Sequence, residues 1–394
     1  MIFAPKILCL GSALQDIYLL DQDDFIPESV RKKSVLAKLE LGTKVDIDDI
    51  FYFAGGGGVN SATTFARAGF SSFLLTNVGL DLPSQLIMSH CQKENISTKF
   101  IQTNPKKHTG LSVVLLDKIS GERTILTHRG ASLDFSNLNP NILNKLRPRW
   151  LYITTLQGDF TTLNKFIKKA RTTGTKIMFN PGQKELKSPE KLLPLLKNID
   201  ILIMNHQEAA LLFTNKSSLS NNSTISPADL LTKVSAYAKI TIITSGKTGG
   251  LLFHRTEISP QKSSQKTKIN SSKLKNPKKS TNLTKSTNST KSLTNPTAIT
   301  TPATASPASP AITNIYSFGL YKDVPVKDTT GAGDAFGSGF LAALIKTQDI
   351  TKAITFASAN STSVIQHFSA SNHVLSLKTA KISPMSIKLF QKSS

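Results

Sequence analysis

Short apolar runs and longer amphipathic stretches alternate along most of the chain. ILCLG (7–11), SFLLTNVG (72–79), WLYIT (150–154), KIMFN (176–180), DILIMN (200–205) and ITIIT (240–244) are rich in aliphatic and aromatic residues with little polar interruption. Such runs read as strands buried on both faces. Between them, the spacing predicts helices near 60–68, 163–172, 207–213 and 228–238. Strands alternating with helices argue for an α/β fold, a three-layer αβα arrangement with a parallel central sheet. Two regions differ. Residues 16–54 and 98–130 alternate apolar with polar positions, as in LSVVLLDKISGERTILTH, where 118–122 reads as a hairpin turn. That pattern suits a small half-exposed β-sheet, placed as a lid over the main sheet.

Composition changes the picture at one place. The 394 residues carry 48 Lys and Arg against 25 Asp and Glu, a net charge of +23. A basic excess of this size fits nucleic acid, an anionic membrane face, an anionic substrate or a solvated surface. The 61 residues from Arg255 to Ile315 hold no aromatic residue, ten Lys or Arg and one acid, and are otherwise mainly Ser, Thr, Asn, Pro and Ala. A stretch this poor in large apolar groups cannot offset its ordering entropy, so it is expected to be a disordered, low-complexity insertion. Without it 333 residues and +14 remain, which fits one α/β domain spanning 1–394 with a loop inserted at 255–315. A hydrophobic fraction of 39% with 20 Phe supplies a sizeable core, and two Cys exclude a disulfide scaffold. No run approaches the roughly 18 apolar residues of a membrane helix, and the N-terminus reads as a first strand at Lys6–Gly11 rather than a signal peptide. A reducing, cytoplasmic setting is expected.

Candidate chemistry lies in glycine-rich stretches. Asp328-Thr-Thr-Gly-Ala-Gly-Asp334 feeds directly into the apolar stretch AFGSGFLAALI. The amides of Gly331, Ala332 and Gly333 would point out of a helix N-terminus and form an anion site. Asp334 would then stand beside a bound phosphate, placed to take a proton from an attacking hydroxyl; it could equally be an acid in a first helical turn. Ala54-Gly-Gly-Gly-Gly-Val-Asn60 combines close backbone approach with an amide suited to a polyol, or is a flexible loop before a helix. Asn205-His-Gln-Glu208 matches a capping box, and could also hold Mg²⁺ through water. Thr244-Ser-Gly-Lys-Thr-Gly249 is a hairpin turn or a loop under a nucleotide, and Asp16 is a turn residue or a carboxylate for substrate hydroxyls. Two phosphate motifs fail. The sixth position of GxGxxG is Phe336 counted from Gly331 and Asn60 counted from Gly55, and a P-loop ending at Lys247-Thr248 would need Gly where the chain has Thr241.

Taken in order, the front glycine-Asn stretch, TNVGLD, NHQE, T-x-G-x-x-G and DTTGAGDAFGSGF resemble the PfkB-type carbohydrate kinases of the ribokinase-like superfamily. The resemblance runs from Ile7 to about Asn372 outside the insertion. It implies a Rossmann-like ribokinase fold and transfer of the ATP γ-phosphate, with Mg²⁺, to a primary hydroxyl of ribose or a related sugar. By the same resemblance Asp334 is the base and Gly331–Gly333 the anion hole. Asp16, Gly55, Gly56, Asn60 and Gln157 border the acceptor. Asn205, Thr244, Gly246, Gly249 and Asn360 border the nucleotide, Glu208 and Asn205 organise Mg²⁺, and Asp328 and Ser369 lie by a loop that takes K⁺ in many members. A lid of this kind often pairs with a second lid, which implies a homodimer. The chain departs from the ribose-directed pattern at Gly57, where a Lys is common, and at Gln157, where a Glu is common. A nucleoside kinase is the alternative, with Ile125, Leu126 and Phe100 receiving a base. A non-catalytic polyanion-binding protein using the basic insertion is the other, though the insertion has no aromatic residue for base stacking.

Overall fold

The computed structural model describes residues 4–21, 42, 44, 46–117, 123–213, 225–257, 311–319, 321, 324–378 and 386–393. Strands β1 (Lys6–Leu10), β2 (Leu14–Asp21) and β3 (Asp49–Gly55) lead into helix α1 (Gly57–Arg67). There follow β4 (Ser71–Val78), α2 (Leu82–Lys93), β5 (Ser97–Thr103), β6 (Gly110–Asp117), β7 (Arg123–His128), α3 (Ile142–Leu146) and β8 (Trp150–Ile153). The second half adds α4 (Phe160–Thr173), β9 (Lys176–Phe179), α5 (Gln183–Leu186), α6 (Pro189–Leu196), β10 (Ile201–Asn205), α7 (His206–Phe213), α8 (Pro227–Val234) and β11 (Ile240–Thr244). Strands β12 (Gly250–Glu257) and β13 (Ala311–Phe318), helices α9 (Ala332–Thr347) and α10 (Ile350–Ile365), and β14 (Ile387–Ser393) complete it.

The order of the central sheet is β14-β13-β12-β11-β10-β9-β8-β1-β4-β5. From β11 to β5 the strands run parallel; β12, β13 and β14 extend it by antiparallel pairing. Successive side chains of a strand face opposite ways. Ile7 and Cys9 therefore join one core with α1, α2, α9 and α10, while Leu8 and Leu10 join the other with α3, α4, α6, α7 and α8. The six apolar runs seen in the sequence are strands of this sheet, and the three-layer αβα expectation holds.

The chain moves outward from β1 to β4 on one side and to β8 on the other. The crevice past the ends of β1 and β8 is thus the place where an open parallel sheet binds ligands. Gly11 ends β1 there, and a Cβ on Gly11 would sit 2.0 Å from Thr154 Oγ1 at the end of β8. A Cβ on Gly58 would lie 2.9 Å from the backbone of Gly11. Main chain approaches main chain at this point, and only glycine allows it.

A separate sheet of order β3-β2-β6-β7 is present, as expected. Its second segment starts later than the alternating pattern indicates, because Ser97–Thr103 pairs with β4 at the edge of the central sheet. An edge strand is half-covered, so it shows the same alternation as a strand of a small sheet. Phe100 is accordingly no part of the small sheet and packs on Phe73. The expected turn at 118–122 lies outside the described residues. So does most of the expected insertion, but its two ends are corrected: Arg255–Glu257 and Ala311–Ile315 are paired strand residues, with Glu257 opposite Ala311. Strand β14, unannounced by any sequence signal used above, pairs with β13. Among the described residues no helix is long and apolar enough to cross a membrane.

Because Glu257 and Ala311 face each other across the ladder, an Asn-Gly turn can replace residues 258–310. Loop-closure scaling makes the shortened chain more stable by up to about 3 kcal/mol. Thermal unfolding checks this: the expected Tm is equal to or above that of the full chain, and a lower Tm would show that the removed residues support the fold.

Candidate active site

Helix α9 begins where the glycine turn ends. Gly331 takes φ 77° just before Ala332, and a Cβ on Gly331 would come 2.1 Å from the Cβ of Ala370. The turn is therefore pressed against the loop that follows α10. Asp334 lies in the first turn of α9, and its Oδ2 accepts a hydrogen bond of 2.9 Å from Asn60 Nδ2. The two glycine-rich stretches, 274 positions apart, thus meet through one amide. Asn60 is buried, and its Oδ1 has no hydrogen-bond partner. Asp334 keeps some exposed area, but its carboxyl is surrounded by protein. Burial raises its pKa, and the Asn60 amide opposes that rise. The Ala332 amide donates to Thr329 O (3.3 Å), so of the three amides expected to hold an anion this one is already engaged within the turn.

Asp16 projects from β2 into the same crevice and is 7% exposed. A Cβ on Gly55 would lie 1.9 Å from Asp16 Oδ2, so glycine there makes room for the carboxylate. Burial, opposed by a hydrogen bond with Ser112 and reinforced by the charge of Asp328, lifts the Asp16 carboxyl to about 7. Gly56 takes φ 95° against Ser12 O. A Cβ on Gly57 would meet the Thr154 side chain at 2.9–3.0 Å, which accounts for the missing Lys. Gln157 sits at the end of β8 with φ 57°, its backbone and side-chain amides both directed to Thr155 Oγ1 (3.1 and 3.4 Å).

The nucleotide-side residues divide into two groups. Asn205, Thr244 and Gly246 line one cavity of about 550 Å³ with His206, Gln207, Pro227, Ser245 and Thr248. Ser245 Oγ there is buried without a partner. Asn205 and Glu208 form a reciprocal capping box: Glu208 N–H donates to Asn205 Oδ1 and Asn205 N–H to Glu208 Oε2, both at 2.8 Å. Glu208 is nevertheless close enough to Asp334 for its charge to add to the burial that raises the Glu208 pKa. Gly249 is not a wall of this cavity; it takes φ 88° beneath Phe318 O and closes the turn. Asn360 is fully buried, donating to Ala335 O (2.8 Å) and accepting from Leu375 N–H (2.6 Å), and so braces α9 against α10.

Asp328 and Ser369, expected beside a cation loop, are both buried. The Asp328 carboxylate is filled by protein donors: Tyr18 OH (2.6 Å), Thr330 N–H (2.9 Å) and Thr330 OH (2.7 Å), with Arg123 Nε 3.3 Å away. Ser369 takes φ 83°, and its Oγ lies 3.4 Å from the amides of Ser371 and Asn372. Among the described residues no group of three or more His, Cys, Asp and Glu forms a metal cluster.

Several contributors carry no motif. Arg67 grips Glu94 through Nε and Nη2 (2.7 Å each) and holds Asn372 O and Val374 O through Nη1, fixing the loop that bears Ser369. Glu185, 1% exposed, accepts from Thr155 OH and from the amides of Leu156, Gly158 and Gly182, and so shapes the Gln157 turn. Its only sequence signal was a Gly182-to-Glu185 spacing typical of a helix start.

Asp16 generates a pH prediction. Its folded pKa is about 7 against an ordinary value of 3.8, so folding is favoured by protonation. The contribution is full below the unfolded pKa and lost as pH rises toward 7, up to about 4 kcal/mol at 1.4 kcal/mol per unit. The Tm of Asp16→Asn should exceed that of the wild type increasingly from pH 4 to 7 and by a constant margin above; a pH-independent difference would contradict the buried-carboxyl assignment.

Comparisons with known proteins show the family and the fold. The profile of the pfkB family carbohydrate kinases matches residues 5–272 and 319–376, and the unmatched stretch falls within and just beyond the low-complexity segment. Arabidopsis thaliana ribokinase complexed with ribose and ATP is 18% identical, with a TM-score of 0.65 over 96% of this chain and 97% of that one. Burkholderia thailandensis nucleoside kinase in complex with inosine is 13% identical, with a TM-score of 0.61 over 94% of each chain. The Methanocaldococcus jannaschii nucleoside kinase of the ribokinase family is 18% identical, with a TM-score of 0.61 over 95% of this chain and 96% of that one. With a family profile matched across most of its length and a site built from the motifs at either end, the chain belongs to the pfkB family of carbohydrate kinases.

Proposed function

We propose that this kinase transfers the γ-phosphate of ATP, with Mg²⁺, to a primary hydroxyl of ribose or a related sugar. The observation that carries the proposal is the Asn60–Asp334 hydrogen bond at the start of α9, which sets a desolvated carboxylate beside a glycine turn at the sheet's binding crevice. Asp334 takes the proton of the acceptor hydroxyl as its oxygen bonds to the γ-phosphorus, and the bond to ADP breaks. The orphan N–H groups at the start of α9 stabilise the charge on the transferring phosphoryl. Asp16 and the free Oδ1 of Asn60 receive acceptor hydroxyls. ATP occupies the cavity between Asn205 and Thr244, where the unpartnered Ser245 hydroxyl supports a polar ligand. Mg²⁺ prefers oxygen donors and keeps its waters, which suits Asn205 and Glu208 as water-mediated holders. It supplies charge neutralisation to the phosphates.

The small sheet serves as the lid, its inner face carrying Asp16 and Tyr18 above the crevice and excluding water during transfer. A nucleoside acceptor is the second reading. Ile125 pairs with Val114, which pairs with Tyr18, so Ile125 lies on that inner face and is 43% exposed, an apolar surface for a base. Leu126 faces the other way. With Ile50 and Tyr52 it forms an exposed outer patch, which favours a homodimer through paired lids.

Three measurements test this reading. Asp334→Asn is expected to lower kcat about 10²–10⁴-fold while ATP binding, followed by calorimetry, survives; wild-type turnover would remove Asp334 from the mechanism. ADP release with ribose, fructose, fructose 6-phosphate, adenosine, cytidine and inosine should be fastest with ribose or another free sugar; a nucleoside turned over fastest would establish the second reading. Sedimentation should give a dimer that Tyr52→Glu dissociates, and a monomeric wild type would rule out the lid pairing.

A further inference from the structure

Asp328 opens the glycine turn, and its carboxylate joins the turn to the small sheet. One oxygen, Oδ1, receives both the amide and the hydroxyl of Thr330, which folds the chain toward Gly331. The other, Oδ2, receives the Tyr18 hydroxyl at 2.6 Å across 310 positions of sequence, a length typical of a charge-assisted O–H···O⁻ bond. Arg123 of β7 adds ion-pair attraction, with Nε 3.3 Å from Oδ1; that buried Nε–H makes no hydrogen bond. Tyr18 is fully buried and the Asp328 side chain is 1% exposed, so water competes weakly for these contacts. Burial and the Asp328 charge push the Tyr18 phenol well above its ordinary range, which keeps it a donor.

A second connection runs parallel to the first. Tyr18 packs edge-on against Phe53 (5.5 Å) and tilted on Phe368 (6.1 Å). Phe368 belongs to the loop whose Ala370 presses on Gly331, and Ser371 OH of that loop donates to Ala54 O at the end of β3. Tyr18 is also two residues from Asp16 on one strand, so both side chains share the inner face. The side chain proposed to meet the acceptor and the one that grips the turn therefore sit side by side on one strand.

We propose that Tyr18 and Arg123 are positioning residues that act through Asp328: docking of the small sheet over the acceptor orders the Gly331–Gly333 turn, so that the phosphoryl site is assembled only when the acceptor is covered. This rests on the phosphotransfer reading above. The coupling limits transfer of phosphate to water, because a turn released from Tyr18 holds the anion site poorly.

Hydrogen exchange on the full chain reads the docking without any need for activity. Tyr18→Phe and Arg123→Gln are expected to speed exchange across 14–21 and 328–334 and to leave Ile201–Asn205 and Ile240–Thr244 at wild-type rates. In the phosphotransfer assay both variants should lower kcat about ten- to hundredfold, the scale of a small misplacement, with KM for ATP unchanged. The ratio of ATP hydrolysis to transfer should rise, and Arg123→Lys, which keeps the charge, should restore most of the loss. Wild-type exchange at 328–334 in both variants overturns the proposal. So does a loss of turnover that tracks only the folded fraction, with the hydrolysis-to-transfer ratio unchanged. A wild-type chain that phosphorylates no sugar or nucleoside would fail the functional reading instead, and the exchange rates would still decide the docking.

Discussion

A carboxylate taken out of water must be solvated by something else, and this molecule is organised around four such groups. Asp334 has the Asn60 amide, Asp16 has Ser112, Asp328 has Tyr18, Thr330 and Arg123, and Glu185 has three amides and a hydroxyl. Each donor set ties together segments distant in sequence. An unpaired buried charge costs several kcal/mol, so each set also fixes geometry. The Asn60–Asp334 bond is the one on which the others depend. It brings α1 and α9 together at the crevice beyond β1 and β8, and the remaining groups are arranged around that contact.

Glycine makes the approach feasible. Cβ atoms at Gly11, Gly55, Gly58 and Gly331 would collide with Thr154, Asp16, the Gly11 backbone and Ala370 respectively. These positions are where main chain and carboxylate come within contact of each other. The same constraint explains why Gly57 has no side chain to offer an acceptor: Thr154 occupies the space. Specificity must then come from Asp16, Asn60, the Gln157 turn set by Glu185, and the inner face of the small sheet.

Features encoded locally were legible in the sequence. A glycine turn followed by an apolar helix, an Asn with a Glu three residues on, and double-sided apolar runs are determined by neighbours along the chain, and each formed as expected. The NHQE stretch was ambiguous because both readings use the same atoms: the capping box forms, and Glu208 still lies within electrostatic reach of Asp334. Long-range pairings were not legible. Tyr18 with Asp328, Arg67 with the loop at 372–374, and Glu185 with the β8 turn have no periodicity or spacing to announce them. The two bonds by which Asn360 ties α9 to the segment after α10 have no such signal either. Strand β5 was misplaced because half-burial at a sheet edge and half-burial in a small sheet produce the same pattern.

Little of the basic charge that stands out in the composition is used to build the site: Arg123 and Arg67 brace the glycine turn and the loop beside it. Arg123 is paired with Asp328 and Lys107 with Asp134, and the groups that meet at the crevice are acids, amides and glycines. The central claim is that Asn60 holds a buried Asp334 ready to act as a base. The dependence of kcat on pH, measured for the wild type and for Asn60→Leu, tests it most directly. Burial raises the Asp334 pKa and Asn60 lowers it, so the acid limb should lie above the ordinary carboxylate range and move to higher pH in the variant. An acid limb at the same pH in both proteins would contradict the account.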